Sequence, residues 1–348
     1  MNNNNNMLKR EKWSLTLLIF YLLIIFAFIC SYLIEFPHHS SSRTKLKLFE
    51  TNSLTRSEGK SMKSSCPSFL MSLVSISPTV TWPPPCPIPE GRLRTAFEGP
   101  NGSMPITRDY CLAQRYEGAE ERVLQWSENF VNNYCAHVES GTEIGSYSLA
   151  EVGLVRLAFN ETIGQAFGSI GLVMGSELPW VECLALSAGA KAVWTFEYGN
   201  INSTHPRMFA RPYKEMAAGF ASGTISQVDW IATFSSLEHS GLGRYGDPLN
   251  PDGDKEALQQ AWCMLKPGGT LILGIPMSCQ RNGFIEFNAH RFYGFERLAH
   301  ISSGYQLIGF VGGCDIKARA GSIVLLRKPL QSLGLLSLTA EDFEKAAF

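Results

Sequence analysis

The sequence predicts a three-layer α/β domain with a mostly parallel sheet, preceded by a membrane helix and a stem. Three observations carry this. Short apolar strands alternate with amphipathic helices from about Gly145 to Pro329, the pattern of a parallel sheet covered on both faces. An uncharged run, "WSLTLLIFYLLIIFAFICSYLI", occupies Trp13 to Ile34. A Gly-rich polar loop, "EHSGLGRYGDPLNPDGD" from Glu238 to Asp254, follows the apolar run of a strong buried strand. Ligands of such sheets bind outside the carboxyl ends of the strands.

In chain order, residues 1–12 read as a short tail, and "MNNNNN" is low-complexity. As a helix, 13–34 spans roughly 33 Å at about 1.5 Å per residue, close to the ~30 Å hydrocarbon core of a bilayer. Trp13 and Tyr32 stand near its ends, where interfacial rings gather. A cleaved signal has a shorter apolar core. Lys9, Arg10 and Lys12 precede the span, and Arg43, Lys45 and Lys47 follow at more distance, which favours a cytoplasmic N-terminus slightly. Sequons at Asn101, Asn160 and Asn202 all follow the span. The expectation is a single-pass type II membrane protein of the Golgi or endoplasmic reticulum, with a lumenal, glycosylated domain. The nine cysteines show no zinc spacing and suit either disulfides or reduced core positions. No metal site is expected. A net charge of −1 leaves no electrostatic footprint for nucleic acid.

Residues 35–100 are rich in Ser, Thr, Pro and Lys and read as a stem; 101–144 read as a helical lead-in, with a helical pattern from Cys111 to about Val138. The domain proper is 145–329, and 330–348 a tail. "SLAEVGLVRLAF" is an amphipathic helix. "SIGLVMG" and "AVWTFEYG" are strands flanking the helix "PWVECLALSAGA", whose Val181, Leu184, Ala185 and Ala188 share a face. "RMFARPYKEMAAGF" holds a short strand and a helix. "VDWIATFS" is a buried strand, "DKEALQQAWCML" a helix stopping at Pro267-Gly268-Gly269, and "TLILGIP" a strand from Thr270. "YQLIGFVGG" and "GSIVLLRKP" form a closing pair.

"FSSLEHSGLGRYGDPLNPDGD", "LKPGGTLILGIP" and "FNAHRFYG" together resemble the family known as domain of unknown function 268, found in nematodes and bacteria. The resemblance covers about Gly168 to Pro329. The wider architecture is similar to class I S-adenosylmethionine-dependent methyltransferases, which implies a Rossmann-like methyltransferase sheet and that cofactor. "GSELPWVE" then stands where the family's glycine-rich first loop lies, with only Gly175 kept, and Glu177 or Ser176 supplying polar contacts. Glu197 ends the second strand, where an acid accepts from a ribose diol; the alternative is an exposed strand-end acid. Ser235 and Glu238 fall to the cofactor side. His239 is the candidate general base, with Asp247 and His290 as substrate contacts and Arg244 and Tyr245 beside them. His290 and Arg291 either complete a substrate pocket or, in the case of the histidine, cap the next helix.

The reading is an O-methyltransferase acting on a polar small molecule or glycan. One alternative is a non-catalytic methyltransferase-like binding module, favoured by the degenerate loop. Another is a lumenal glycosyltransferase using Asp252-Gly253-Asp254, although that motif here opens a helix, where Asp254 is a natural N-cap.

Overall fold

The computed structural model describes residues 47–48, 56–57, 66–75, 87–109, 123–145, 147–162, 168–197, 199–245, 247–312, 321–330 and 335–348. The expected membrane helix at 13–34 and tail at 1–12 lie outside the described residues; among those, no helix is long and apolar enough to cross a membrane.

The helices in chain order are α1 (Cys66–Ser75), α2 (Gly91–Glu98), α3 (Glu128–Glu139), α4 (Leu149–Thr162), α5 (Trp180–Ser187), α6 (Tyr213–Ser222), α7 (Gly253–Met264), α8 (Phe295–Ile301) and α9 (Ala340–Ala347). The longer strands are β1 (Ile106–Asp109), β2 (Val123–Trp126), β3 (Ile170–Met174), β4 (Ala192–Glu197), β5 (Asn200–Ser203), β6 (Met208–Pro212), β7 (Val228–Phe234), β8 (Leu265–Ile275), β9 (Phe284–Phe287), β10 (His290–Phe292), β11 (Gln306–Val311) and β12 (Ser322–Arg327).

The large sheet runs β11-β12-β8-β7-β3-β4-β6, with Lys47–Leu48 added outside β11. β8, β7, β3, β4 and β6 pair in parallel. β12 is antiparallel to both β8 and β11, so the closing pair expected from the sequence is present. Chain order reverses beside β3, and such a switch point is where open α/β sheets leave a crevice.

Strand alternation explains the layers. Leu172 and Met174 enter one apolar core with Ile231, Leu271, Leu273 and Trp262. Val173 enters a second core with Ala232, Ile272, Val181 and Leu184. Period-2 side chains thus feed both faces of the sheet, and helices cover each. The α4 start is a capping box: Ser148 Oγ accepts from the Glu151 amide at 3.3 Å, and Glu151 accepts from the Ser148 amide at 2.9 Å.

Four expectations about boundaries change. Within the helical lead-in, Val123–Trp126 is a strand paired in parallel with Asn200–Ser203, because β5 offers an open backbone edge; helix α3 begins only after the Ser127 cap. Residues 110–122 lie outside the described set. Part of the stem folds on the domain: Leu70 and Leu73 of α1 are buried in the first core, and Cys66 is bonded to Cys263 of α7. The tail also docks, with Phe343 of α9 fully buried. Finally, the strand expected from Thr270 begins at Leu265 and runs through Pro267-Gly268-Gly269 with a break in register.

A second disulfide, Cys135–Cys183, joins α3 to α5. The Cys66–Cys263 bond closes 197 residues. Its removal in a Cys66→Ser, Cys263→Ser double variant is expected to cost about 2–5 kcal/mol, measured by denaturant unfolding against wild type under non-reducing conditions.

Candidate functional site

Three strand ends build the site. β3 ends at Met174 and turns at Gly175, which has φ +77°. A Cβ there would lie 2.0 Å from Ser236 Oγ and 3.9 Å from Glu197 Oε2. Gly175 is therefore required twice, for its backbone conformation and for the close approach of the β7 exit. One measurement places three predicted residues, or their neighbours, together: Gly175 of the first loop, Glu197 at the end of β4, and the Ser235-Ser236 pair after β7.

Ser235 has φ +50°. Such a value in a non-glycine residue is strained, and strain of this kind gathers at functional sites. The Ser235 side chain works to lower the pKa of both the Tyr147 hydroxyl and the Glu238 carboxyl. Tyr147 precedes α4 and packs on Trp180 and Phe234, with ring centroids at 4.9 and 5.4 Å. Nothing in the local pattern of "GSYS" marked it, since its role comes from a contact across the fold.

Glu238 is 2% exposed. Its Oε2 has no hydrogen-bond partner among the described residues. Burial pushes the carboxyl up to about 7, against the lowering effect of Ser235, Arg244 and Arg291. His239 Nε2 stands 3.6 Å from Glu238 Oε1. The other ring nitrogen, Nδ1, lies 2.6 Å from the Ala289 carbonyl, which assigns the proton to Nδ1. Burial, then the Arg244 charge, pulls His239 down to about 3. A base is most effective near the working pH. The neutral imidazole bridges the exit of β7 and the start of β10 through its bond to Ala289, with Nε2 left without a proton.

The Glu238–Asp254 loop is hung on a buried arginine. Arg291 is 1% exposed, and its guanidinium donates to the carbonyls of Ser240 at 2.6 Å and Asn250 at 3.3 Å. Gly241 has φ +77°, and a Cβ there would lie 2.1 Å from the Asn250 carbonyl oxygen, so the loop folds back on itself. Asp247 accepts from the Gly241 amide at 2.6 Å and the Tyr245 amide at 3.3 Å. Both carboxylate oxygens thus serve the loop, where the sequence suggested a substrate contact.

Tyr245 lies edge-on to His239 at 5.5 Å, with the Arg244 guanidinium 5.1 Å from its ring centre. Burial pushes Tyr245 up to about 12, and Glu238, Tyr147 and Glu197 all contribute, so these side chains share one field. His290 sits at the rim, 6.2 Å from His239 ring to ring. Its Nε2 is 2.8 Å from Glu286 Oε2, and Glu286 also pairs with Arg108 of β1. The two histidine positions are therefore adjacent, and Arg108 and Glu286 are partners the sequence did not single out. The Glu177 side chain is exposed at the loop rim. The Glu177 carbonyl accepts from Trp126 Nε1 at 3.1 Å, so β2 holds the first loop in place.

Behind that loop lies another acid missed in the sequence. Glu182 of α5 is fully buried. Thr195 Oγ1 donates to its Oε1 at 2.7 Å, and Ser176 Oγ lies 3.1 Å from its Oε2. Ser176 also lies 2.9 Å from the Leu178 carbonyl. The Ser176 hydroxyl is thus shared between the two acceptors. Burial raises Glu182 to about 7, from 4.5, against the lowering effect of the Thr195 and Ser176 bonds. A raised carboxyl contributes stability that is full below about 4.5 and lost as pH rises through about 7. Glu182→Gln keeps both bonds without the charge. It is expected to match wild type at pH 5 and exceed it by about 1–3 kcal/mol at pH 8, read from melting curves at the two pH values.

The aspartate motif does not form a metal site. Asp254 is fully buried and bonded to Arg297 through both oxygens, with Arg291 Nε at 3.7 Å. It is neither a helix cap nor available as a ligand, because two arginines consume it. The alternative of a glycosyltransferase using Asp252 and Asp254 loses its chemical basis. Among the described residues, no cluster of His, Cys, Asp and Glu is arranged to hold a metal ion.

Fold and site together define a class: a doubly wound α/β domain with a polar, partly unsatisfied cluster at the carboxyl ends of its central parallel strands. Residues 168–323 match the family described as "Caenorhabditis protein of unknown function, DUF268", which agrees with the resemblance read from the motifs. No curated protein matches the chain. Among solved structures, a Burkholderia thailandensis 1,6-didemethyltoxoflavin-N1-methyltransferase with bound S-adenosylhomocysteine is 11% identical, at TM-score 0.39, over 57% of this chain and 87% of that one. The N-methyltransferase NodS from Bradyrhizobium japonicum WM9, in complex with S-adenosylhomocysteine, is 14% identical, at TM-score 0.33, over 57% and 99%. The CcbJ methyltransferase from Streptomyces caelestis is 13% identical, at TM-score 0.33, over 50% and 89%. Superpositions this loose identify no shared chemistry.

Proposed function

We propose that the domain binds S-adenosylmethionine and directs its methyl group to a hydroxyl of a polar acceptor. The carrying observation is the Gly175 cradle, bare of a side chain and flanked by Ser236 and Glu197, together with a buried carboxyl oxygen of Glu238, two residues past Ser236, that lacks a partner among the described residues. These residues fit the cofactor. Gly175 would let backbone approach its amino-acid part, Glu197 would accept from the ribose diol, and Ser235 and Glu238 would face the reacting end. Bound there, the cofactor supplies a methyl group activated on a sulfonium sulfur. The chain's own work is to exclude water and to hold acceptor and donor in line, which supplies much of the rate in such transfers. Tyr147 and Tyr245 wall the site. His290, oriented by Glu286, and Arg244 are placed to hold the acceptor, while His239 and Asp247 fix the loop.

We further propose type II topology with this domain in the secretory lumen. The two disulfides among the described residues support it, because such bonds persist in oxidising compartments. Asn101, Asn160 and Asn202 are exposed, as glycosylation requires. An acceptor met there would be a glycan. Protease treatment of intact microsomes should leave the domain whole; digestion without detergent would reverse the topology.

The deciding experiment is calorimetric titration of the full-length chain with S-adenosylmethionine and, separately, with nucleotide sugars. Saturable binding of the first alone is expected. Binding of neither would favour a module that binds a partner without catalysis.

A further inference from the structure

Among the described residues, Glu238 is a site carboxyl that is both deeply buried and incompletely bonded. It follows the strained Ser235, at the exit of a central strand. Its Oε1 side meets His239 Nε2 at 3.6 Å. Its Oε2 has no hydrogen-bond partner among the described residues, and a buried carboxyl oxygen left unbonded is destabilising. A ligand group that bonds there recovers that cost. Burial and the Arg244 charge oppose protonation of the imidazole next to it, and they outweigh the Ala289 hydrogen bond, which favours it.

We infer that Glu238, and not His239, accepts the acceptor's proton, and that its carboxyl ionises when the positively charged donor binds beside it. This rests on the methyltransferase reading. In the step, the acceptor O–H bond breaks and its proton passes to Glu238 Oε2. The oxygen's electron pair forms the bond to the methyl carbon, and the pair of the breaking C–S bond returns to sulfur. Charge is conserved: the sulfonium becomes neutral as the carboxylate becomes an acid.

The surroundings fit a group poised between its two states. Arg244 and Arg291 favour the carboxylate, and burial opposes it, leaving the acid near neutrality. Tyr147 from before α4, Tyr245 from the loop and Tyr293 from after β10 lie in the same field and stay protonated, each raised by burial. Glu197 on β4 adds like charge toward Tyr245, and His239 remains neutral.

The test is the proton count on binding, from titrations of the full-length chain in buffers of different ionisation enthalpy. S-adenosylmethionine should release close to one proton at pH 6, and little at pH 8.5, by linkage. S-adenosylhomocysteine, which lacks the sulfonium charge, should release almost none. Glu238→Gln should bind the donor without the release, and His239→Asn should keep it. Infrared difference spectra of wild type give a second reading: the protonated-carboxyl band should fall with the sulfonium ligand and persist with the thioether. Donor binding with no proton release, or release retained in Glu238→Gln, would overturn the inference while leaving the methyltransferase reading. Absence of any donor binding would remove both, and the two failures are distinct.

Discussion

Asp254→Ala is expected to destabilise the domain by about 3–5 kcal/mol, the usual cost of removing one partner from a buried ion pair. Asp254 is fully buried, Arg291 is 1% exposed and Arg297 8%. With the carboxylate gone, two guanidinium groups remain in the interior without their counter-charge. The damage should spread, since Arg291 also organises the carbonyls of Ser240 and Asn250 and thereby the loop that carries Glu238. Asp254→Asn keeps the shape and part of the hydrogen bonding, and should fall between alanine and wild type. The pH dependence has a definite sign. Burial works against the charged form, but Arg291 and Arg297 outweigh it and hold the carboxyl at about 2, below its ordinary 3.8. A depressed acid contributes stability that is present above about 3.8 and lost as pH falls through about 2. Urea unfolding of wild type and Asp254→Ala at pH 7 measures the full difference. A loss below about 1 kcal/mol, the range of surface pairs, would show that the triad does not hold the loop.

Gly175→Ala should weaken S-adenosylmethionine binding at least about tenfold, or about 1.4 kcal/mol, in calorimetric titration. Two costs act together. At φ +77°, an L-residue is strained by about 1–2 kcal/mol. The new methyl group would also stand 2.0 Å from Ser236 Oγ, so Ser236 must turn away and shift the backbone beside Ser235 and Glu238. Gly175→Val should be worse, since a branched side chain tolerates positive φ still less. A melting curve separates a local effect from unfolding: modest loss of stability with a large loss of affinity is the expected combination. Unchanged affinity in a folded variant would place the cofactor elsewhere on the domain.

The sequence by itself determined the layered architecture. Apolar runs such as "SIGLVMG" and "VDWIATFS" are buried on both faces, and only a parallel sheet with helices on each side accommodates them. It also brought the candidate residues to one end of the sheet, because the exits of those strands carry Gly175, Glu197, Ser235 and Glu238. What each side chain does there was decided only by the tertiary structure. His239 reads in sequence as a base, and only the fold shows that burial and Arg244 oppose its charging while the Ala289 carbonyl fixes its tautomer. Asp247 reads as a substrate contact, yet its loop folds tightly enough to use both oxygens. Asp254 reads as a cap or a metal ligand, yet Arg297, some forty residues on, consumes it. Tyr147, Trp126, Glu182 and the Arg108–Glu286 pair were silent in sequence because their partners are distant along the chain. The same holds for the stem and lead-in, where the Cys66–Cys263 bond and the pairing of Val123–Trp126 with β5 depend on surfaces that exist only once the domain has folded. Protonation and hydrogen bonding depend on dielectric surroundings and on groups brought within a few ångströms, and periodicity specifies neither.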